Sequence, residues 1–388
     1  MEIDGVKTYN NKLTQISTSP ILPDKIFRSS RYGLAVSLIY LAGGEWISTI
    51  VRIDRLGDAR SVRSMIGQGV PFALGSHKEL LAFVQAWIRD NPEIPEGILA
   101  ESTGWHEDDY YWGFKVIGSD KSWSSLSSTR RNLFNRQRAL GEKSIWISTM
   151  AEVLEEAPYL SVGLSATAAS LFLRYFGINN FIVDYSSETS TGKTTTLQIL
   201  ASMWGDPSET IGLVHGWMDN DLEDWLDSWA DHPIFLDDST DKPLKDRVSS
   251  IFHLGRGVSS EGQSPSVLIS NGESPLVTEG MPGGALARVI TLTDRWIPFG
   301  APVDLWKVKL MKNYGHMPEV LVDEFKKKSI DEWAHIYRTR IGNWGDGVTW
   351  RKNQYWASIE CGAMLLESSL PDILLKVRKA REKWTQTM

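Results

Sequence analysis

The fold of this chain is decided by one stretch, NFIVDYSSETSTGKTTT, which spans Asn180 to Thr196. Its apolar first part, up to Tyr185, predicts a buried strand, and the residues from Thr195 to Trp204 predict a helix. A strand, a small polar loop, Gly-Lys-Thr and a helix together form the layout of a phosphate-binding loop. Backbone N–H groups of such a loop hold phosphate oxygens, and the positive end of the helix assists them.

The chemistry of this loop assigns roles to its residues. Lys193 is expected to reach the β- and γ-phosphates of ATP, and the Thr194 hydroxyl is expected to bind Mg²⁺. The residues predicted to bind the nucleotide are Ser190, Thr191, Gly192, Lys193, Thr194 and Thr195. The usual pattern is G-x-x-x-x-G-K-[ST], and Ser187 stands at its first glycine position. The flanking strand and helix nevertheless favour a nucleotide site over an ordinary strand-to-helix turn.

A second motif supplies carboxylates. The segment Pro233-Ile234-Phe235-Leu236-Asp237-Asp238-Ser239 predicts an apolar strand that ends in two acids. Asp237 is expected to hold Mg²⁺ through water, and Asp238 to orient and deprotonate the attacking water. Taken alone, the segment would be explained by a capped helix start. Its position after Gly-Lys-Thr favours the catalytic interpretation.

Three further residues complete the predicted site. Asn271 ends another apolar strand and is placed to contact the γ-phosphate or the attacking water. Arg288 directly precedes the predicted strand Val289–Leu292, where it is suited to reach the nucleotide of a neighbouring subunit. Such an arginine contributes roughly 10³–10⁵ in rate, although a lone arginine is by default part of a surface salt bridge. Arg256 lies in a predicted hairpin from Gly255 to Gln263 and is the candidate DNA contact.

Composition narrows the class of protein. The chain has 388 residues, a net charge of −7, 17 tryptophans and the single cysteine Cys361. We find no apolar run of the ~20 residues that a membrane helix needs and no signal peptide, so a reducing cytoplasm is the expected setting. The negative charge does not indicate a nucleic-acid binder, but a ring can be acidic outside and basic in its channel. The tryptophans are expected mainly as core anchors rather than as stacking platforms for bases.

The remaining segments carry open alternatives. Two apolar runs around Gly43-Gly44 predict a hairpin, Ser76 predicts a capping box before a helix over 80–88, and Val162–Phe176 predicts one apolar helix. The C-terminal part is predicted to be helical. A polar stretch over 120–145 either contacts DNA phosphates or forms a solvated helix face. Its basic residues are Arg130, Arg131, Arg136, Arg138 and Lys143.

The motifs fall in an order that resembles one protein family. They are Gly104-Trp105-His106, Ser190-Thr191-Gly192-Lys193-Thr194-Thr195, Trp204-Gly205, Asp237-Asp238, Ser270-Asn271-Gly272-Glu273, Arg288 and Asn313-Tyr314-Gly315. The family is a bacterial and phage helicase family of mobile elements, known as a domain of unknown function. It includes minichromosome-maintenance-like and superfamily-3-like AAA+ helicases such as those of staphylococcal cassettes.

The resemblance implies an α/β fold with three parts. These are a small α+β N-terminal domain over 1–145, an AAA+ P-loop ATPase core over 146–305 and a helical C-terminal segment over 306–388. It also implies a hexameric ring around single-stranded or forked DNA, with a separate primase or polymerase as partner and no membrane. By this likeness Lys193, Thr194, Asp237, Asp238 and Asn271 act in cis, and Arg288 acts in trans.

The expected activity is therefore that of a Mg·ATP-dependent DNA helicase or translocase in phage or mobile-element replication. Two departures favour a rival, an ATP-binding loader or scaffold that does not unwind DNA. Asp238 stands where the family has Glu, and the hairpin offers Arg256 as its only basic residue. A small-molecule kinase is a third alternative, and it would need a substrate-binding lid rather than an arginine acting in trans.

Overall fold

The structure is a computed structural model, and it is described here over ten ranges. These are residues 15–29, 31–187, 192–209, 211–213, 225–237, 244–259, 262–263, 265–293, 296–341 and 347–386. The chain divides into two compact units. The first unit comprises residues 1–101 and 114–131, and the second comprises residues 102–113 and 132–388.

The secondary-structure elements are numbered in chain order. Up to residue 134 they are β1 (Ile21–Ser29), β2 (Gly33–Ala42), β3 (Glu45–Arg52), α1 (Ile53–Leu56), α2 (Ala59–Gly67), α3 (His77–Asp90), β4 (Glu96–Leu99), β5 (Gly104–His106), β6 (Asp109–Trp112), β7 (Lys115–Ile117), β8 (Ser122–Ser124) and α4 (Ser128–Phe134). From residue 143 to residue 259 they are α5 (Lys143–Glu156), α6 (Leu160–Ala169), α7 (Leu173–Phe176), β9 (Phe181–Ser186), α8 (Lys193–Ala201), β10 (Ile211–Leu213), β11 (Ile234–Asp237), α9 (Leu244–Leu254) and β12 (Val258–Ser259).

The last group of elements includes the helices of the C-terminal part. It comprises β13 (Gly262–Gln263), β14 (Val267–Gly272), α10 (Gly283–Leu286), β15 (Val289–Leu292), α11 (Val303–Leu310), α12 (Met317–Lys326), α13 (Ile330–Ile341), α14 (Gly347–Leu366) and α15 (Ile373–Gln386). Mixed α/β structure followed by helices is the fold class that the sequence predicts at this coarse level. None of the described helices combines the length and apolar composition needed to cross a membrane.

The first unit is built on a mixed sheet. β1 and β2 pair antiparallel, as do β2 and β3, and β4 lies parallel to β1. The predicted hairpin is confirmed, since Gly43 and Gly44 take φ values of 62° and 88° in the turn between β2 and β3. Leu80 and Val84 of α3 are four residues apart on one helix face, and both are buried in the core of this unit.

The predicted capping box at Ser76 is confirmed in position but not in its side-chain bond. The helix begins at His77 with Ser76 as its N-cap residue, but the Ser76 side chain does not cap it. Instead its hydroxyl donates to the carbonyl oxygens of Ala73, at 2.7 Å, and Ile16, at 3.3 Å. A serine hydroxyl has one proton to donate, and nearby carbonyl acceptors compete with the capping arrangement for its orientation.

The second unit is built on a parallel sheet. Among the described residues its strands lie in the order β10, β11, β14, β9, β15, and neighbouring strands pair parallel. Every residue of β9 and β14 is buried, as expected for central strands covered on both faces. The predicted strand before the phosphate loop and the predicted helix after it are thereby confirmed as β9 and α8.

The single helix predicted over Val162–Phe176 is interrupted. The structure has α6 up to Ala169 and then α7 from Leu173. Between them, the N–H groups of Ser170, Leu171 and Phe172 each donate to a carbonyl three residues earlier. These tighter bonds end the regular α-helix, an effect that apolar periodicity does not report.

Close packing fixes α6 against α14. A Cβ atom on Gly362 of α14 would lie 2.0 Å from the carbonyl oxygen of Ser165, so only glycine permits this approach. Two residues before Gly362 in the same helix, the buried Glu360 accepts from three guanidinium groups. They belong to Arg340 at 2.8 Å, Arg378 at 3.3 Å and Arg381 at 2.7 Å. The basic residues Arg378 and Arg381 of α15 therefore serve an internal ion-pair network.

Candidate active site

The described end of the turn from β9 to α8 is a glycine in the left-handed conformation. Gly192 precedes the helix with φ 84° and ψ 26°, and the Thr196 N–H donates to its carbonyl at 2.8 Å. A Cβ on Gly192 would lie 3.1 Å from Cδ1 of Ile297, so both conformation and space favour glycine. Residues 188–191 lie outside the described residues, so the roles of Ser190 and Thr191 remain predictions.

Lys193 turns its ammonium back toward the loop. Its Nζ donates to the Ser187 carbonyl at 3.1 Å and lies 3.9 Å from the Glu273 carboxylate. The side chain is 16% exposed, so the charge is held in a partly dry site where electrostatic attraction is strong. A phosphate entering this loop would compete with those two oxygen atoms for the ammonium. Sequence analysis assigned no role to Glu273, although it is the last residue of the quoted Ser270-Asn271-Gly272-Glu273 motif.

Thr194 and Asp237 meet, as a shared metal ion requires. The Thr194 hydroxyl donates to the Asp237 carboxylate, at 3.0 Å to Oδ2 and 3.3 Å to Oδ1. Hydroxyl and carboxylate oxygens are the hard ligands that Mg²⁺ takes, and Mg²⁺ usually binds one or two protein groups with waters and substrate phosphates. The donor set therefore fits Mg²⁺. In the described ranges, no cluster of three or more His, Cys, Asp or Glu side chains could hold a metal ion by itself. Asp238 lies outside these ranges.

Asn271 stands between the lysine and the carboxylate. Its strand β14 lies between β9 and β11, and Asn271 pairs in register with Tyr185 near the end of β9. The side chain is 1% exposed. Carboxyl ends of parallel strands meet at one edge of a sheet, so Lys193, Asp237 and Asn271 share the edge where such folds bind ligands.

Asp184 accepts hydrogen bonds from several groups near this edge of the sheet. Sequence analysis did not assign it a role. It is fully buried in β9 and accepts from the Ser270 hydroxyl at 2.8 Å, the Leu276 N–H at 2.9 Å and the Ser186 hydroxyl. Burial raises the pKa of this carboxyl above its ordinary value. The available signal was a lone acid inside an apolar strand. By bonding Ser270, Asp184 fixes the strand end that carries Asn271.

Arg288 and Arg256 lie at the opposite end of the sheet. The Arg288 carbonyl accepts from the N–H of Ile182, the second residue of β9, at 2.9 Å. Ser187, which contacts Lys193, lies five residues farther along, or about 16 Å at 3.3 Å per residue. Arg256 is exposed and follows α9 at the base of the confirmed hairpin β12–β13. The predicted site residues thus form two groups that are separated by the length of a strand.

The arginines of the 120–145 stretch are bound within the chain. Arg138 contacts Asp206 at 2.7 Å and Glu209 at 3.1 Å, and Arg136 donates to the Glu209 carbonyl at 2.9 Å. The same holds for Arg130, on Glu101, and for Arg131, on the carbonyls of Ser125 and Leu126. Each of these four guanidinium groups therefore has bonding partners within the chain.

The parallel sheet and its helices place the second unit in the α/β class. Comparison with known families is more specific. The chain belongs to the family described as Domain of unknown function (DUF927), whose model matches residues 6–262.

A similar fold occurs in a solved structure described as "SCCmec type IV Cch - active helicase". The two chains are 18% identical, the match covers 99% of this chain and 78% of that one, and the TM-score is 0.74. A second structure, "The A form apo structure of NrS-1 C terminal region-CTR", matches at 9% identity over 89% and 86% of the chains, with a TM-score of only 0.33. No curated protein matches the chain at a significant level.

Proposed function

We propose that this protein is a Mg²⁺-dependent AAA+ ATPase that acts as a DNA helicase or translocase in phage or mobile-element replication. The observation that carries the proposal is the 3.0 Å contact of Thr194 with Asp237 beside Lys193. These three groups lie at the carboxyl ends of parallel strands, with Asn271 on the strand between them. The fold likeness to a structure described as an active helicase supports the same class.

Each residue has a defined task in the proposed hydrolysis of ATP. Lys193 binds the β- and γ-phosphates, and Thr194 and Asp237 would hold Mg²⁺, which would neutralise phosphate charge when bound. Asp238 takes the proton of the attacking water, and Asn271 orients that water against the γ-phosphorus. The water oxygen forms the new bond to phosphorus as the bond to the β-phosphate oxygen breaks. Catalysis is by positioning and charge stabilisation.

The second group of residues requires a second subunit. Arg288 is too far from its own Lys193 to share one phosphate with it, so we assign it to a neighbour's nucleotide. The proposed assembly is a hexameric ring around single-stranded or forked DNA, in which Arg256 contacts the strand. Domains over 1–145, 146–305 and 306–388 and a separate primase or polymerase partner remain part of this proposal.

Steady-state ATP hydrolysis with and without Mg²⁺ tests the proposal, followed by strand displacement on a forked duplex. We expect Lys193→Ala to lower kcat by at least about 100-fold and to abolish displacement. Lys312→Ala removes the same charge from an exposed lysine and should leave both activities unchanged. Equal hydrolysis by wild type and Lys193→Ala would refute the assignment of this site.

The hairpin keeps a second candidate open, an ATP-binding loader or scaffold without unwinding activity. Arg256 is the only basic residue between Gly255 and Gln263, which is little charge for gripping a phosphate backbone. DNA affinity measured at several salt concentrations separates the two. A translocase should lose affinity and salt dependence in Arg256→Ala, whereas a loader should show neither change.

A further inference from the structure

A small pocket lies at the amino end of the parallel sheet, away from Lys193 and Asp237. Its volume is about 110 Å³, and its lining includes Asn179, Gly255, Arg288, Arg351, Gln354 and Tyr355. Arg288 precedes β15, and Arg351 belongs to the long helix α14. Two arginines from distant parts of the chain therefore line one cavity.

Within the described ranges, Arg288 and Arg351 contact no carboxylate. Arg288 donates to the Gly284 carbonyl at 2.6 Å and lies 4.9 Å from the centre of the Phe252 ring. Over the parts of the chain that the structure describes, no carboxylate forms an ion pair with Arg288 or Arg351. Burial and the neighbouring Arg351 both lower the pKa of Arg288, in that order of size. Two like charges held together without an acid form a site for an anion.

Close packing and hydrogen bonds fix the walls of this pocket. A Cβ on Gly255 would lie 2.4 Å from Cδ of Arg288, so the glycine leaves the space in which this side chain lies. Tyr355 stacks on Phe181 with ring centroids 4.5 Å apart, which fixes one wall to the first residue of β9. Asn180 bonds the Leu254 carbonyl at 2.8 Å and the Ser266 N–H at 2.6 Å, and so closes the base of the hairpin beside Gly255.

The anion cannot be the phosphate bound by the same chain. The pocket includes Ile178 and Asn179, which precede β9, whereas Lys193 follows its far end. A whole strand of about 20 Å separates the two places. The ligand must therefore come from another molecule.

We propose that this pocket receives the terminal phosphate of a nucleoside triphosphate bound to a second copy of this chain, and that Arg351 acts there beside Arg288 as a second cation in trans. This inference rests on the function proposed above. A nucleic-acid backbone presents one negative charge per phosphate along an extended surface. Two guanidinium groups converging on a cavity of about 110 Å³ match a single, more highly charged terminal phosphate better.

Mixing two inactive proteins tests the proposal. Lys193→Ala has a defective loop but intact arginines, and Arg351→Ala has an intact loop but lacks the second cation. We expect each alone to hydrolyse ATP at least about 100-fold more slowly than wild type. In an equimolar mixture, about a quarter of head-to-tail interfaces combine an intact loop with intact arginines, so activity should recover toward a quarter of the wild-type rate.

Controls make each outcome decisive. Arg338→Ala removes an exposed guanidinium from the adjacent helix α13 and should keep wild-type activity. Both inactive variants should assemble like wild type, and Arg351→Ala should bind a fluorescent ATP analogue normally, because its own loop is intact. No recovery on mixing would overturn the role in trans.

Two other results would also overturn it. Arg351→Ala could reduce salt-dependent DNA binding while hydrolysis without DNA stays at the wild-type rate, which would assign the pocket to nucleic acid. Failure of the proposed function itself looks different, since wild type would then not hydrolyse ATP or Lys193→Ala would match it, and this inference would fall with it.

Discussion

The two ends of the parallel sheet differ in how completely their charged groups are satisfied. At the carboxyl end, Thr194 contacts Asp237 and Lys193 contacts Ser187, all within 3.3 Å. At the amino end, Arg288 and Arg351 face one pocket without a carboxylate partner among the described residues. Under the proposed function, the carboxyl end binds the nucleotide, and the amino end supplies cations that have no carboxylate partner in the described ranges. In that proposal, the two ends complete one site when two copies meet head to tail.

The largest expected effect is at the amino end. Arg288→Ala should lower kcat by about 10³-fold or more, because the transition-state charge loses its cation in trans. Affinity for a fluorescent ATP analogue should stay at the wild-type value, since the loop of the same chain is unchanged. Kinetics with Arg338→Ala as the charge-matched control measure this. A loss of affinity for the ATP analogue with unchanged kcat would contradict the role in trans assigned to Arg288.

Replacing Asp184, the buried acid of β9, should lower the free energy of unfolding. Asp184→Ala leaves the hydroxyls of Ser186 and Ser270 and the Leu276 N–H without their acceptor. Each buried unpaired group costs about 1–3 kcal/mol, so we expect the free energy of unfolding to fall by about 3 kcal/mol. Asp184→Asn keeps one acceptor oxygen and should lose less. Urea unfolding curves test both, and equal stability of all three proteins would contradict the assigned contacts.

The metal-binding pair should respond to Mg²⁺ concentration. Thr194→Val removes the hydroxyl while keeping the β-branched shape, and should raise the Mg²⁺ needed for half-maximal hydrolysis by about 10–100-fold. Thr194→Ser retains the hydroxyl and should stay near wild type. A titration of activity with Mg²⁺ gives the comparison. Identical curves for the two variants would remove Thr194 from the metal site.

The smallest expected effect is a pH dependence of stability caused by two buried residues just before β11. Asp231 is fully buried beside Arg174, at 2.7 Å, and burial raises its pKa to about 7. The folded protein therefore retains a proton that the unfolded chain loses, and stability falls as pH rises from about 4 to 7. Burial lowers the pKa of the neighbouring His232 to about 3. Its contribution to the free energy of unfolding therefore rises with pH between about 3 and 6.5.

Between about pH 4 and pH 6.5, Asp231 and His232 change the free energy of unfolding in opposite directions, so their effects largely cancel in the wild type. Replacing Asp231 by Asn removes one of the two effects and leaves the pH dependence due to His232. We expect the free energy of unfolding of this variant, relative to wild type, to fall by up to about 1.4 kcal/mol per pH unit on acidification from pH 6.5 to pH 4.5. Asp323→Asn, at an exposed acid, should follow wild type. Parallel curves for all three proteins would contradict the raised pKa of Asp231.

The carboxyl end could be predicted from the sequence because its information is local. Gly192, Lys193 and Thr194 are consecutive, and each partner follows its own apolar strand. The amino end could be predicted only in part. Arg288 precedes a recognisable strand, but Arg351 lies in an ordinary helical segment whose partner in the pocket depends on tertiary packing.

Two fold predictions hold only in part, for a similar reason. Ser76 has the sequence of a cap, but its hydroxyl is oriented by carbonyl groups that folding brings near it. The break between α6 and α7 arises from a local change of hydrogen-bond spacing, which apolar periodicity does not encode. Patterns along the chain therefore predicted which elements exist better than how their ends are bonded.

The most direct test of the composite site is the rate of ATP hydrolysis per subunit, measured across a wide range of protein concentrations with and without single-stranded DNA. We predict a specific rate that rises with concentration as subunits meet and that increases further when DNA is present. A rate that is independent of protein concentration, in a protein that is monomeric by sedimentation, would contradict the division of the site between two copies.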